Sequence, residues 1–129
     1  MAEIPQDLKY TPDHEWVQSV GPTTVRVGVT AHATEQLGDI VFVSLPTVGA
    51  RLSSGDACAE LESTKSVSDV YAPLSGAIAA VNDALADAPE TINAEPFGDG
   101  WLFELELDSP QGALDELMDA ATYQGLLGD

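Results

Sequence analysis

The sequence predicts a mostly-β domain, either two packed antiparallel sheets or a flattened barrel. Three observations carry that expectation. Seven or eight short runs alternate apolar and polar residues with a period of two. Glycine and proline turns separate those runs at regular intervals. A helical apolar period appears clearly only near the C-terminus, where Leu114, Leu117, Met118 and Ala121 recur. At 129 residues and 44% hydrophobic, the chain suits one domain with a packed core, assigned to 1–129 with a core over 8–108 and a helical segment over 109–127.

Taken in order, Leu8 to Pro12 is an irregular lead-in. His14 to Val20 reads as a strand, ended by Gly21-Pro22. Thr24 to Val29 sets Val25, Val27 and Val29 on one face, and the two runs form a hairpin. Thr30 is placed to cap a short helix over 31–37, which Gly38 stops. Ile40 to Leu45 is the most apolar run and reads as a core strand ended by Pro46. Val48 to Leu52 is a connector, and Ser53 to Asp56 a turn.

Next come Ala57, Ala59 and Leu61, alternating with polar residues, a Ser/Thr-rich break around Lys65, and Val67, Val70 and Tyr71. This pattern is a hairpin with Lys65 near its tip. Beyond the turn at Pro73 to Gly76, Ala77 to Asn82 is another core strand. Asp83 to Pro96 is irregular with a helical turn. Trp101 to Leu107 is a strand with Trp101, Phe103, Leu105 and Leu107 on one face. Gly38-x-Ile40-x-x-Val43 echoes Gly76-x-Ile78-x-x-Val81, a weak hint of two similar halves. Ser109-Pro110 opens the C-terminal helical segment, within which Asp119 is placed to cap a second short helix.

Composition narrows the function. Asp and Glu number 22 against 4 Lys and Arg, a formal net charge of −18. Such a surface repels nucleic acid and anionic lipid, attracts a basic partner face and favours a soluble monomer. No apolar run reaches the roughly 20 residues of a membrane span. The first residues lack the basic start and apolar centre of a secretory signal, so a cytoplasmic location is expected. The single Cys58 reads as a small hydrophobe on a strand. His14 and His32 stand far apart with no flanking metal-ligand pattern, so no metal site is expected. Glu60 with Glu62, and Glu104 with Glu106, read as solvated strand faces. No nucleophile triad, phosphate loop or Cys-x-x-Cys pair is present, and no enzyme is expected.

Lys65 stands out because the chain has only two lysines. Glu62-Ser63-Thr64-Lys65-Ser66-Val67-Ser68-Asp69-Val70-Tyr71-Ala72-Pro73 resembles the lipoyl-attachment segment of the glycine cleavage system H proteins. Further motifs follow that family's order: Asp13-His14-Glu15-Trp16-Val17; Gly28-Val29-Thr30 with Ala33; Leu37-Gly38-Asp39-Ile40-Val41-Phe42-Val43; and Asn93-x-x-Pro96-Phe97-Gly98-Asp99-Gly100-Trp101. The resemblance covers about Leu8 to Leu127. Departures are modest: Ser66 follows the lysine where alanine is frequent, and Gln36 stands where some members have histidine.

The resemblance implies a lipoyl-domain-like barrel-sandwich hybrid. It further implies lipoic acid in amide linkage on Lys65. The arm would accept the aminomethyl group of glycine from a pyridoxal-phosphate-dependent glycine decarboxylase, present it to an aminomethyltransferase, and be reoxidised by dihydrolipoyl dehydrogenase. A lipoyl ligase or lipoyl transferase would load it. Glu15 and Asp69 fall where the family places arm-docking contacts, Asp13 is a weaker candidate, and Trp16 reads as core. Two alternatives stand beside this: an H-like protein relaying lipoyl groups, or a lipoyl or biotinyl module of another complex. Against the biotinyl module, Thr64 and Ser66 replace the methionines that usually flank its lysine.

Overall fold

The structure is a computed structural model and describes residues 5–108 and 113–127. Nine strands among them form two antiparallel sheets. They are β1 (Lys9–Tyr10), β2 (Glu15–Ser19), β3 (Thr24–Val29), β4 (Ile40–Ser44), β5 (Arg51–Leu52), β6 (Ala57–Ser63), β7 (Val67–Tyr71), β8 (Gly76–Val81) and β9 (Phe103–Leu107). One sheet runs β1-β2-β3-β9-β8-β5 and the other β4-β6-β7. The expected pair of packed sheets is what forms.

The alternating runs bury as their period dictates. Val25, Val27 and Val29 on β3 join Phe103, Leu105 and Leu107 on β9 in the main core, with Ile40, Val43, Leu61 and Val70 reaching it from the other sheet. Thr30 caps helix α1 (Ala31–Leu37) by accepting the Ala33 N–H, and Gly38 ends it at φ 82°. Asp83–Ala86 is a 3-10 turn and α2 spans Thr91–Ala94. No helix among the described residues is long and apolar enough to cross a membrane.

Three readings need correction. The segments read as lead-in and connector contain β1 and β5, each two residues long and edge-paired; so short a strand exists only through its neighbour and leaves no period to read. The run from Ile40 is a strand, but not uniformly core. A bulge between Ile40 and Phe42 shifts its register on β6, so Val41 and Phe42 both face solvent while Ile40 and Val43 stay buried. The C-terminal leucine pattern is not one helix. Residues 109–112, with the expected Ser109-Pro110 start, lie outside the described residues. Ala113–Glu116 is a 3-10 turn, Met118 bridges to Tyr10, and α3 (Ala120–Leu126) begins at Asp119, which does cap it.

The weak echo between halves has a structural counterpart. β8 carries a register shift between Ile78 and Ala80, matching the one between Ile40 and Phe42 in β4.

The C-terminal helix closes a second, smaller core. Tyr123 stacks on Tyr10 at 4.7 Å between ring centroids, beside Leu8, Trp16 and Ala120. Trp16 is core, as expected. Its ring lies directly on Gly28, where a Cβ would come within 2.6 Å, and its indole N–H donates to the Pro96 carbonyl. Only glycine permits that approach.

Candidate functional site

The site is built on the β6–β7 hairpin. Thr64, Lys65 and Ser66 span its tip, and Ser63 holds them. Its N–H donates to the Ser66 carbonyl at 2.8 Å. Its buried hydroxyl donates to that same carbonyl and accepts the N–H groups of Lys65 and Ser66 at 3.3 and 3.1 Å. One hydroxyl with one proton and two lone pairs is thereby fully used. The structure makes Ser63 the pin of the turn.

Lys65 projects from this turn into solvent, with its Cε passing Gly38 at the end of α1, 3.6 Å from where a Cβ would sit. Among the described residues the ion pairs are Arg26–Glu104 and Arg51–Asp108, so none holds the Lys65 ammonium. The floor beneath it is clamped from a distance. Asn93 accepts the Ile40 N–H at 2.8 Å and donates to the Gly38 carbonyl at 2.9 Å, and the Thr64 N–H donates to the Asp39 carbonyl. Asn93 appears in the motif, but a contact 53 residues away leaves no local signal.

Lys9, the other lysine, is half-buried on β1 opposite Val17. The structure therefore offers one lysine on a solvent-facing turn and one along a paired strand.

Glu15 and Asp69 are not brought to one cavity. Asp69 is exposed on β7 opposite Glu60, beside a shallow cleft of about 290 Å³ that Ser44, Cys58 and Ala59 help to line. Glu15 is only 1% exposed and borders a different cleft of about 230 Å³ with Thr11, Asp13, Ala72 and Leu117. It is no solvated strand residue. Its carboxylate accepts the Thr11 hydroxyl at 3.1 Å and the Tyr71 N–H at 2.8 Å. Burial pushes its pKa up to about 7, against the pull of the Tyr71 and Thr11 hydrogen bonds and with a small push from Asp13. The link between the two acids is β7 itself, because Tyr71 lies two residues beyond Asp69 on that strand.

The corner that delivers Glu15 is unusual. His14 adopts φ 69°, a left-handed conformation uncommon for a residue with a side chain. It is held by its N–H to Thr11, by its carbonyl accepting the Thr30 N–H, and by its Nδ1 at 2.8 Å from the Tyr123 hydroxyl. His32, remote in sequence, comes to 4.7 Å between ring centroids. Burial, followed by the His32 charge, lowers the His14 pKa, while Asp13 raises it. The described residues contain no cluster of three or more potential metal ligands.

Cys58 lies half-buried on β6, as expected. Burial, then Glu15 and Asp56, push its thiol up to about 12, so it stays protonated and unreactive. Of the paired acids, Glu60 and Glu62 face solvent, but Glu104 pairs with Arg26 and Glu106 accepts from Thr23 and Thr24.

Comparison with known proteins shows the family and the fold. The family described as "Glycine cleavage H-protein" matches residues 8–129. A glycine cleavage system H protein from Nocardia farcinica is 56% identical over 132 residues, covering 99% of each chain. One from Salmonella arizonae is 52% identical over 129 residues, covering 100% of this chain and 99% of its own. The crystal structure of a glycine cleavage system H protein from Mycobacterium marinum superposes with a TM-score of 0.88 at 46% identity, over 98% of this chain and all of the other. The chain belongs to the glycine cleavage H-protein family, the lipoyl-bearing carriers of the glycine cleavage system.

Proposed function

We propose that Lys65 carries lipoic acid in amide linkage and that the protein acts through this arm alone, as a carrier and not an enzyme. The observation that carries the proposal is the Ser63-pinned turn, which holds one lysine away from the core with an amine that no ion pair among the described residues holds. When bound, the lipoyl group supplies a dithiolane able to accept the aminomethyl group and to cycle between reduced and oxidised forms. The chain supplies position and surroundings. Its partners in this reading are a pyridoxal-phosphate-dependent glycine decarboxylase, an aminomethyltransferase, dihydrolipoyl dehydrogenase and a lipoyl ligase or transferase. A monomer in the cytoplasm fits its charge of −18.

Asp69 and Glu15 complete the proposal with different roles. Four residues of extended chain put Asp69 within about 13 Å of Lys65, within reach of a lysine side chain lengthened by a lipoyl chain. Its exposed carboxylate is available to an amine cation at the arm's end. Glu15 acts from beneath as a positioning residue, fixing the far end of β7 through the Tyr71 N–H.

Peptide mapping of protein made in cells with active lipoylation tests the attachment. A lipoyl group on Lys65 only, abolished by Lys65→Arg, is the expected result; modification on Lys9, or none, overturns it. Hydrogen bonds to charged groups are worth roughly 1.5–3 kcal/mol. Loaded protein bearing Asp69→Asn, or Glu15→Ala, which removes the acceptor for the Tyr71 N–H, should therefore release ammonia several-fold faster than wild type. Rates equal to wild type in both variants would remove Asp69 from the arm's resting place and Glu15 from its support.

A further inference from the structure

The Lys65 turn is tied to the rest of the fold at one point. Ser63 closes the turn from within. Outside its own hairpin, and among the described residues, the Thr64–Ser66 tip makes one hydrogen bond, from the Thr64 N–H to the Asp39 carbonyl at 3.3 Å. A bond that long depends on where its acceptor is held. Asp39 is exposed, but one side chain grips both of its neighbours. Asn93 accepts the Ile40 N–H at 2.8 Å and donates to the Gly38 carbonyl at 2.9 Å. The Lys65 stem runs over the same loop, its Cε 3.6 Å from where a Cβ on Gly38 would sit.

Asn93 can clamp this loop because its own base is fixed. It follows Ile92, which is 0% exposed in the main core, on the single turn of α2. The Gly100 N–H donates to the Glu95 carbonyl at 2.8 Å. A Cβ on Gly100 would come within 2.6 Å of that oxygen and 2.9 Å of the Ile92 Cα, so α2 lies directly on the backbone that leads into β9. That backbone is held in turn by the Asn82 amide, which donates to the Asp99 and Trp101 carbonyls at 2.7 and 2.8 Å. The next residue, Leu102, donates its N–H to the Val27 carbonyl on β3. A hydrogen-bonded path thus runs from the six-stranded sheet through α2 to the loop under the lysine, whereas the lysine's own hairpin belongs to the other sheet.

Resting on the reading of Lys65 as the lipoyl-bearing lysine, we propose that Asn93 is a positioning residue for it. By fixing Gly38 and Ile40, Asn93 holds the Asp39 carbonyl where Thr64 can reach it, and so sets the direction in which the Lys65 amine leaves the protein. Attachment of the arm uses that direction. The neutral amine attacks the acyl carbon of an activated lipoyl carboxyl such as lipoyl adenylate; the amide bond forms, the acyl–phosphate bond breaks, AMP leaves, and the amine gives up a proton. Such an attack succeeds only from a narrow range of approach, and an amine on an untethered turn occupies that range less often. Asn93 acts through Asp39 and Thr64 and not on the amine. Its loss should slow the bond-forming step more than it weakens the encounter with the ligase.

The test compares full-length, unmodified wild type with three variants, each checked by thermal melting to be folded. Asn93→Ala removes both hydrogen bonds. Asn93→Asp keeps the acceptor for the Ile40 N–H, loses the donor to Gly38, and stands in where the alanine variant does not fold. Val25→Ala, in the main core on β3, controls for lost stability alone. In amide hydrogen exchange followed by NMR, the Thr64 N–H should exchange about fivefold faster in Asn93→Ala, the equivalent of the roughly 1 kcal/mol that a hydrogen bond contributes. In single-turnover transfer from a lipoyl ligase preloaded with lipoyl adenylate, the rate constant at saturating protein should fall about fivefold, with the half-saturating concentration within about twofold of wild type. Asn93→Asp should move both readouts in the same direction, and Val25→Ala should move neither. Wild-type exchange at Thr64, a wild-type saturating rate, a loss confined to the half-saturating concentration, or an equal loss in Val25→Ala each overturns the proposal. No transfer to Lys65 of the wild-type protein refutes the carrier reading instead, and exchange at Thr64 still reports on the tether.

Discussion

Replacing Glu15 by Gln should change how stability depends on pH more than it changes stability at any one pH. The carboxyl is buried, and its pKa rises from an ordinary 4.5 to about 7 in the folded protein. The native state therefore binds this proton more tightly than the unfolded chain does. Below about pH 4.5 both states hold it and nothing is lost. Between 4.5 and 7 the unfolded chain releases it first, so stability falls as pH rises, and above 7 the loss is complete. At 1.36 kcal/mol per pH unit, that interval corresponds to about 3 kcal/mol. Glutamine keeps the shape and can still accept the Tyr71 N–H, but it has no charge to strand. The other carboxylates titrate alike in both proteins and cancel in the difference. Urea unfolding of wild type and Glu15→Gln, measured from pH 5 to 8.5, should show the variant gaining on wild type by about 2–3 kcal/mol across the series. A difference that does not vary with pH would refute the reasoning and mean that Glu15 titrates as an ordinary surface carboxyl.

Two further outcomes follow from the site. Ser63→Ala removes a donor to the Ser66 carbonyl and the acceptor for two N–H groups, so it should cost about 1–2 kcal/mol in urea unfolding; unchanged stability would show that the turn does not need the hydroxyl. With a net charge of −18, the association rate with the decarboxylase, followed by stopped flow, should fall as ionic strength rises, since the Debye length shrinks from about 10 Å at 0.1 M to about 3 Å at 1 M. A flat salt series would mean that the charge serves solubility and not encounter.

Local rules sufficed wherever the controlling neighbours lie within a few residues. The strand β2, the period-two runs of β3 and β9, the Thr30 cap with its Gly38 stop, the Asp119 cap, and Lys65 between two short strands were all legible in the sequence. So was the family, because several motifs in one order specify it where a lone lysine turn would not.

The rest was decided by partners remote in the chain. The apolar period of Ile40 to Leu45 predicts burial, yet pairing with β6 through a bulge turns Phe42 outward. Glu15 alternates like a surface acid, yet the strand end at Tyr71 and the corner at His14 enclose it, and burial raises its pKa against the pull of the Tyr71 hydrogen bond. His14 and His32 have no shared pattern, yet the turn into α1 brings their rings together. Asn93 holds the floor under Lys65 from 53 residues away. The sequence by itself determined which of the longer segments become strands, where α1 and α3 are capped and which lysine stands on a turn, because backbone preference and periodicity act over a few residues. Only the tertiary structure decided which faces are covered, which carboxyl is desolvated and which side chains meet, because register, burial and dielectric depend on what packs against a residue, and those groups come from elsewhere in the chain.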